Sequence, residues 1–300
     1  MDLKSTPGLF IEWFFRTWVR LFGKKVVGND ASWLDEPTGS LDPIGANFHH
    51  NLSQGTGLSF RINEPNSGLM NDFQKLAGES FDPQRVDPRV KDFYERTTNY
   101  RLDVWSHWSW LFRPLGWLLV SLVSRRVKQL NLPISPLDTS RGMSSDIIQL
   151  LDKPNDEVVY TCWLRKVMAT GDVVYAGFYS VCQPPNYPDP CVKVVFPLPQ
   201  GNTTVVLRAI AHPNGSLELS SAGRRFGDPG YYRVLQIDAD TRKIRLIRAL
   251  KESIHVYVDE QGTLRTDHIF RFWSLEMLRL HYKISPSVEA GSPTLPIGFR

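Results

Sequence analysis

The stretch SIHVYVDEQGTLRTDHIFRF, residues 253–272, decides the fold. Apolar and polar residues alternate on both sides of DEQGT, the pattern of two half-buried strands. A three-residue loop ending in Gly262 fits a type I turn followed by a G1 bulge. That turn pairs Asp259 with Thr263. It aligns Ile254, Val256 and Val258 with His268, Thr266 and Leu264, and Phe270 and Phe272 extend the same apolar face. His268 therefore points inward, while His255 faces outward opposite Asp267. A slip of one residue would turn every side chain over, so the register is tightly specified.

Two hairpins upstream read in the same way. Asn214-Gly215 is a type I′ signal. It sets His212 opposite Leu217, Ile210 opposite Leu219 and Arg208 opposite Ser221. A loop of Ala239 to Arg242 pairs Ile237 with Ile244 and Leu235 with Leu246, and brings Arg233 opposite Arg248 on the apolar face. Two cations directly opposite are destabilising unless something anionic sits between them. Downstream, Leu278, Leu280, Tyr282 and Ile284 share one face, and Arg279, His281 and Lys283 the other.

Strand-like runs begin near residue 158 and follow one another to 284 without a helix-length run between them. That excludes βαβ units and predicts an antiparallel meander. The expected fold class is α+β: a helical N-terminal half, then an antiparallel β-meander forming a curved sheet or a lipocalin-like barrel. The expected divisions are an amphipathic aromatic-rich helix at 1–25, a tether or irregular arm at 26–68, a helical region at 69–150, the sheet at 151–286 and a tail at 287–300. In the helical region Asp87 is the candidate N-cap with Pro88 at the first helical position, and Val90, Phe93 and Tyr94 form the packing stripe. A strand fits at Val104–Trp108, and a second amphipathic helix after Pro114.

The first helix, GLFIEWFFRTWVRLFGKK at 8–25, carries Glu12, Arg16 and Arg20 four apart on one face. Such a narrow polar stripe with aromatic bulk around it suits a membrane interface. Phe10, Trp13, Phe14, Arg16, Trp18 and Arg20 are the candidate membrane contacts. The competing reading has the helix cap the protein's own apolar surface. The charges interrupt the apolar run, so neither a secretory signal nor a spanning helix is expected. The expected location is the cytoplasm, peripherally on the inner membrane face.

The chain has 300 residues and a net charge of +4, too mildly basic to imply a nucleic-acid partner. Three cysteines include no Cys-x-x-Cys pair. Cys182 and Cys191 flank a Pro-rich loop that a disulfide could clamp, but free thiols are the simpler reading. His49-His50 has no supporting ligand at a useful spacing, so no metal and no cofactor are expected. No Gly-x-Ser-x-Gly elbow, His-Glu-x-x-His or phosphate-loop motif is present. The Gly-rich SSAGRRFGDPGYY at 220–232 offers a phosphate cradle, with a plain inter-strand loop as the default.

The informative set is Arg208, Arg233, Arg248 and His268 on otherwise apolar faces. Buried charges are costly unless paired. Internal salt bridges with Glu218, Glu252 or Glu276 are one solution. A ligand acid gripped by guanidinium forks is the other. The stretch VDPRVKDFYERTTNYRLDVWSHW at 86–108, with FRPLG after it, resembles an uncharacterised bacterial protein family, which implies no activity. An apolar β-barrel with internal arginines resembles, in architecture only, the calycins, the lipocalin and fatty-acid-binding superfamily. The lipocalin Gly-x-Trp signature is absent near the first strand. That resemblance implies an amphiphilic ligand with its acid head on the arginines.

The leading expectation is therefore a non-catalytic peripheral membrane or hydrophobic-ligand-binding protein that holds an amphiphilic acid in a barrel-like cavity. The alternatives are a cofactor-free isomerase, lyase or hydrolase acting on a lipid-like substrate through His268, and a structural or partner-binding module.

Overall fold

The computed structural model describes residues 6–35, 37–39, 44–114, 143–168 and 171–287. The first helix, α1 (Thr6–Phe22), forms where the spacing predicts it, and Gly23 closes it by donating to Val19 O. A short strand follows, β1 (Lys24–Val27), then α2 (Phe48–Thr56), β2 (Ser59–Ile62), α3 (Pro88–Glu95) and β3 (Tyr100–Trp108). The sheet continues with β4 (Met143–Asp152), β5 (Glu157–Val167), β6 (Val173–Cys182), β7 (Cys191–Leu198), β8 (Gly201–Ala211) and β9 (Leu217–Ser220). It ends with β10 (Tyr231–Gln236), β11 (Thr241–Leu246), β12 (Leu250–Val258), β13 (Leu264–Phe272) and β14 (Leu275–Pro286).

The strands pair antiparallel in the order β2-β4-β5-β6-β7-β8-β9-β12-β13-β14-β3. This is an open, curled sheet with β2 and β3 at its two ends, where a closed barrel was one expectation. It forks at β8. One edge of β8 carries β7; the other carries β10 along residues 201–205 and β9 along residues 208–211. The β10–β11 hairpin continues into β1, which brings α1 against it.

The N-terminal half is not helical in the way its spacing suggests. Between Leu69 and Tyr94 the apolar residues recur three and four apart, but Gly78 and Pro83 interrupt them. Asp72 and Asp82 each cap a single 3-10 turn, by accepting from the backbone of Gln74 and Gln84. Only α3 is longer, with Asp87 as N-cap, Pro88 at its start and Val90, Phe93 and Tyr94 buried. Instead of a helical layer, residues 69–94 form a plug. Phe73, Leu76, Phe81, Val90 and Phe93 sit in the hollow of the curled sheet against Leu207, Leu219, Val256 and Leu280. Residues 143–150, placed in the helical region, belong to β4, which bridges β2 and β5. The arm after α1 is packed, with Ala31, Leu34, Ile44 and Phe48 buried on the outside of the sheet. The helix expected after Pro114 and the C-terminal tail from 288 lie outside the described residues.

The β12–β13 register is the one the DEQGT turn dictates: Ile254 with His268, Val256 with Thr266, Val258 with Leu264. Gly262 takes φ 78°, the left-handed conformation that the bulge needs.

The other two registers differ from expectation. Ala209 pairs with Leu219 and Arg208 with Ser220, a shift of one residue. The loop holds three residues, not two. Pro213 opens a type I turn, Gly215 takes φ 81°, and His212 N donates to Ser216 O. The shift puts Leu207 and Ala209, rather than Arg208 and Ile210, on the face of Leu217 and Leu219. In the β10–β11 hairpin Leu235 pairs with Lys243 rather than Leu246, a shift of three. The Asp238 carboxylate accepts from the backbone of Asp240 and Thr241 and closes the turn early. The apolar face is therefore Tyr232, Val234, Ile244 and Leu246. Arg233 lies opposite Arg245, and Arg248 falls in the exposed turn before β12.

Candidate functional site

The four residues read as one inward set do not meet. Arg208 is on the opposite face of β8 from the hollow. Arg233 spends its guanidinium on main-chain oxygens, with Nη1 donating to Asn202 O at 2.7 Å and Nη2 to Pro199 O at 3.4 Å. Arg245, its cross-strand neighbour, donates to Phe22 O and lies 5.1 Å from the Trp18 ring, so the two cations are each satisfied locally. Arg248 is exposed. His268 alone points into the hollow, as its register requires.

What surrounds His268 is a small chamber of about 60 Å³. The sheet supplies Trp163, Tyr175, Tyr179, Ile254, His268 and Tyr282, and the plug closes it with Leu69, Phe93 and Tyr94. His268 Nε2 lies 2.5 Å from Glu252 Oε1, and the Tyr231 hydroxyl donates to Glu252 Oε2 at 2.5 Å. The Glu252 side chain is only 8% exposed. The His268 ring packs on Phe270 at 4.3 Å and stacks towards Tyr282.

Sequence reasoning missed Arg165, the group that makes the chamber unusual. Arg165 shares the inner face of β5 with Trp163, stands opposite Tyr175 and is 1% exposed. Its Nε donates to Ser144 O at 3.1 Å, and its guanidinium lies 5.2 Å from the Trp163 ring. Among the described residues, no carboxylate stands against Nη1 and Nη2. Arg165 acts on the Tyr175 hydroxyl opposite it by charge and by a side-chain hydrogen bond, and on the Tyr282 hydroxyl by charge. A signal existed: β5 is apolar on both faces, with Thr161, Trp163 and Arg165 alternating with Cys162 and Leu164, and such a strand has no solvated side for an arginine.

Burial raises the hydroxyls of Tyr94, Tyr175, Tyr179 and Tyr231 well above the ordinary phenol value and pushes Tyr282 up to about 12. All five are neutral hydroxyls at physiological pH, able to donate a hydrogen bond. The chamber is thus an apolar enclosure lined by a carboxylate-held imidazole and several phenolic donors, with Arg165 next to its Trp163 and Tyr175 wall.

Outside the sheet a groove of about 540 Å³ gathers His212, Ser216, Glu218, His255 and Asp267. Here the groups satisfy one another. His255 Nε2 is 2.8 Å from Ser216 Oγ, which also donates to Asn214 Oδ1 at 2.7 Å. Asp267 is engaged by His281 Nδ1 at 2.9 Å and by the Tyr257 hydroxyl at 3.2 Å. This is a cross-strand polar network. In the Gly-rich loop the Asp228 carboxylate accepts from Arg224 N and Arg225 N, at 2.9 Å each, and so fills the place a phosphate would take. Among the described residues no group of three or more His, Cys, Asp or Glu is placed to hold a metal ion. All three cysteines are buried.

The α1 helix is partly its own protein's cap. Val19 is buried, Trp18 meets Arg245, and Arg16 hydrogen-bonds Gln200. Trp13, Phe14, Leu21 and Phe22 are exposed, as is Arg20. The Phe10 side chain lies outside the described residues. Among the described residues no helix is long and apolar enough to cross a membrane.

No family model matches the chain, and no solved structure matches it. It is similar to an uncharacterized membrane protein, YndJ, of Bacillus subtilis (strain 168), at 29% identity over 222 residues. The match covers 73% of this chain and 38% of the relative's length. A bacterial relative without a known activity agrees with the resemblance read from the sequence.

Proposed function

We propose that the chamber binds a small amphiphilic acid, with its head group at Arg165 and His268 and its apolar part against Trp163, Tyr175 and Ile254. The observation that carries this reading is Arg165, 1% exposed and with no carboxylate against its terminal nitrogens among the described residues. A buried guanidinium with no anion to pair with is costly, and a carboxylate is the group whose geometry its fork matches. Size limits the ligand. A chamber of about 60 Å³ is far below the several hundred Å³ of a drug-sized site. A short-chain acid fits, whereas a long-chain lipid requires the plug to move. Native mass spectrometry of the full chain with hexanoate and with hexylamine tests the reading. A retained acid adduct without an amine adduct supports it; equal retention of both, or of neither, counts against it.

A second reading is favoured by the Tyr231–Glu252–His268 chain. A carboxylate that orients an imidazole lining an enclosed pocket is the arrangement of a general acid or base. Exchange of the α-protons of a short 3-oxo acid in deuterated water, abolished in His268→Gln, would favour catalysis over simple binding.

The membrane part of the reading rests on α1, whose exposed aromatics adjoin the exposed Arg20, Lys24 and Lys25. The description of the relative as a membrane protein supports the same setting. A peripheral position on the inner membrane face is the location we propose.

A further inference from the structure

A tryptophan occupies a backbone conformation that suits glycine or asparagine. Trp273, in the turn between β13 and β14, has φ 57° and is 63% exposed. A bulky residue there is strained and gains no packing in return. The turn is held firmly, because Trp273 N donates to Ala249 O at 2.6 Å. Leu275 beside it is also exposed. The turn after β3 presents Trp110, 84% exposed, with Leu111 exposed next to it. The two turns are joined: Ser109 N donates to Met277 O at 3.1 Å, and the Phe112 and Phe272 rings lie 6.2 Å apart. One tip of the sheet therefore carries two projecting tryptophans and two projecting leucines.

Charge at this tip has one sign available. Arg113 follows Trp110 by three residues, Arg248 lies in the turn that receives the Trp273 bond, and both are exposed. The nearby acid, Glu276, is taken by Arg279 at 2.9 Å.

We infer that this tip is a membrane-docking surface. It seats Trp110, Leu111, Trp273 and Leu275 in the interface of an anionic bilayer, with Arg113 and Arg248 at the lipid phosphates. Indole rings favour the headgroup level, where one edge is apolar and the other wet, and flanking cations add attraction to anionic lipid. Aromatics projecting from a tight turn suit insertion between headgroups better than the flat patch a protein interface needs. The surface is separate from the chamber and from α1, and its test separates them.

Co-sedimentation of the full chain with phosphatidylcholine vesicles, with and without phosphatidylglycerol, measures the contact. Three proteins are compared: the parent, a tip variant carrying Trp110→Ser and Trp273→Asn, and an α1 variant carrying Trp13→Ser and Phe14→Ser. The parent binds the anionic vesicles, and the tip variant loses roughly tenfold or more in partitioning. Its melting temperature stays level or rises, because Asn tolerates the left-handed turn, so misfolding does not explain the loss. Three outcomes would overturn the inference: no binding of the parent, equal binding of parent and tip variant, or a loss confined to the α1 variant. A tip variant that only converts a dimer to a monomer would assign the surface to a second copy instead, and would overturn it as well.

Discussion

Glu252 and His268, 16 residues apart on neighbouring strands, meet inside the curled sheet at 2.5 Å, and the second carboxylate oxygen takes the Tyr231 hydroxyl at the same distance. Removing the carboxylate strands two buried donors at once. Glu252→Ala is expected to cost about 3 kcal/mol in urea unfolding. Glu252→Gln, which still accepts from Tyr231, should lose clearly less. Equal and small losses would show that the chain of bonds does not hold the sheet.

The Pro213-Asn214-Gly215 turn sets the register on which the β8–β9 face depends. Gly215 has φ 81°, and its carbonyl accepts from Asp87 N at 2.8 Å. Gly215→Ala is expected to cost about 1 kcal/mol through the left-handed backbone. Asp87→Ala should cost about 1 kcal/mol as a lost N-cap. The two sites touch, so the double variant should depart from additivity.

His255 supplies a pH dependence. Burial, and then the neighbouring His212, lower its pKa below the ordinary 6.5, against the opposing pull of Glu218 and Asp267. The folded state prefers the neutral ring. Its contribution is complete above pH 6.5 and is lost as the pH falls below that value. Unfolding midpoints of the parent and His255→Gln between pH 7.5 and 5.5 check this. The variant should show the shallower decline; parallel curves would refute the assignment.

Burial also pushes the Cys162 and Cys191 thiols up, and Cys182 lies directly opposite Cys191 across the β6–β7 ladder. None is therefore expected to react with a thiol reagent in the native state, and all three should react in denaturant.

The sheet and its inward histidine were legible because DEQGT permits only one turn type that keeps both apolar faces together. The neighbouring turns were misread for local reasons. Pro213 lengthens one loop by a residue, and the Asp238 side chain closes the other before Ile237 can pair inward. Each error moved an arginine to a wrong face or partner. The plug was hidden because its apolar residues keep helical spacing while Gly78, Pro83 and the capping aspartates limit it to single turns. Arg165 was hidden in a strand whose two apolar faces read simply as core. No local pattern announces Glu252 as the residue joining Tyr231 to His268, since that depends on how β10, β12 and β13 come together.

Arg165 is the residue on which the binding account turns, and a substitution separates its two possible duties. Replacing a buried charge that has no anion to pair with by an apolar residue of similar length is neutral or stabilising when the charge serves a ligand. Isothermal titration of hexanoate into the parent and into Arg165→Met, with their unfolding midpoints, is the most direct measurement. The account predicts heat of binding in the parent, none in the variant, and a variant at least as stable as the parent. A variant that binds hexanoate as the parent does, or one that unfolds far more easily because Arg165 was holding the core together, would contradict it.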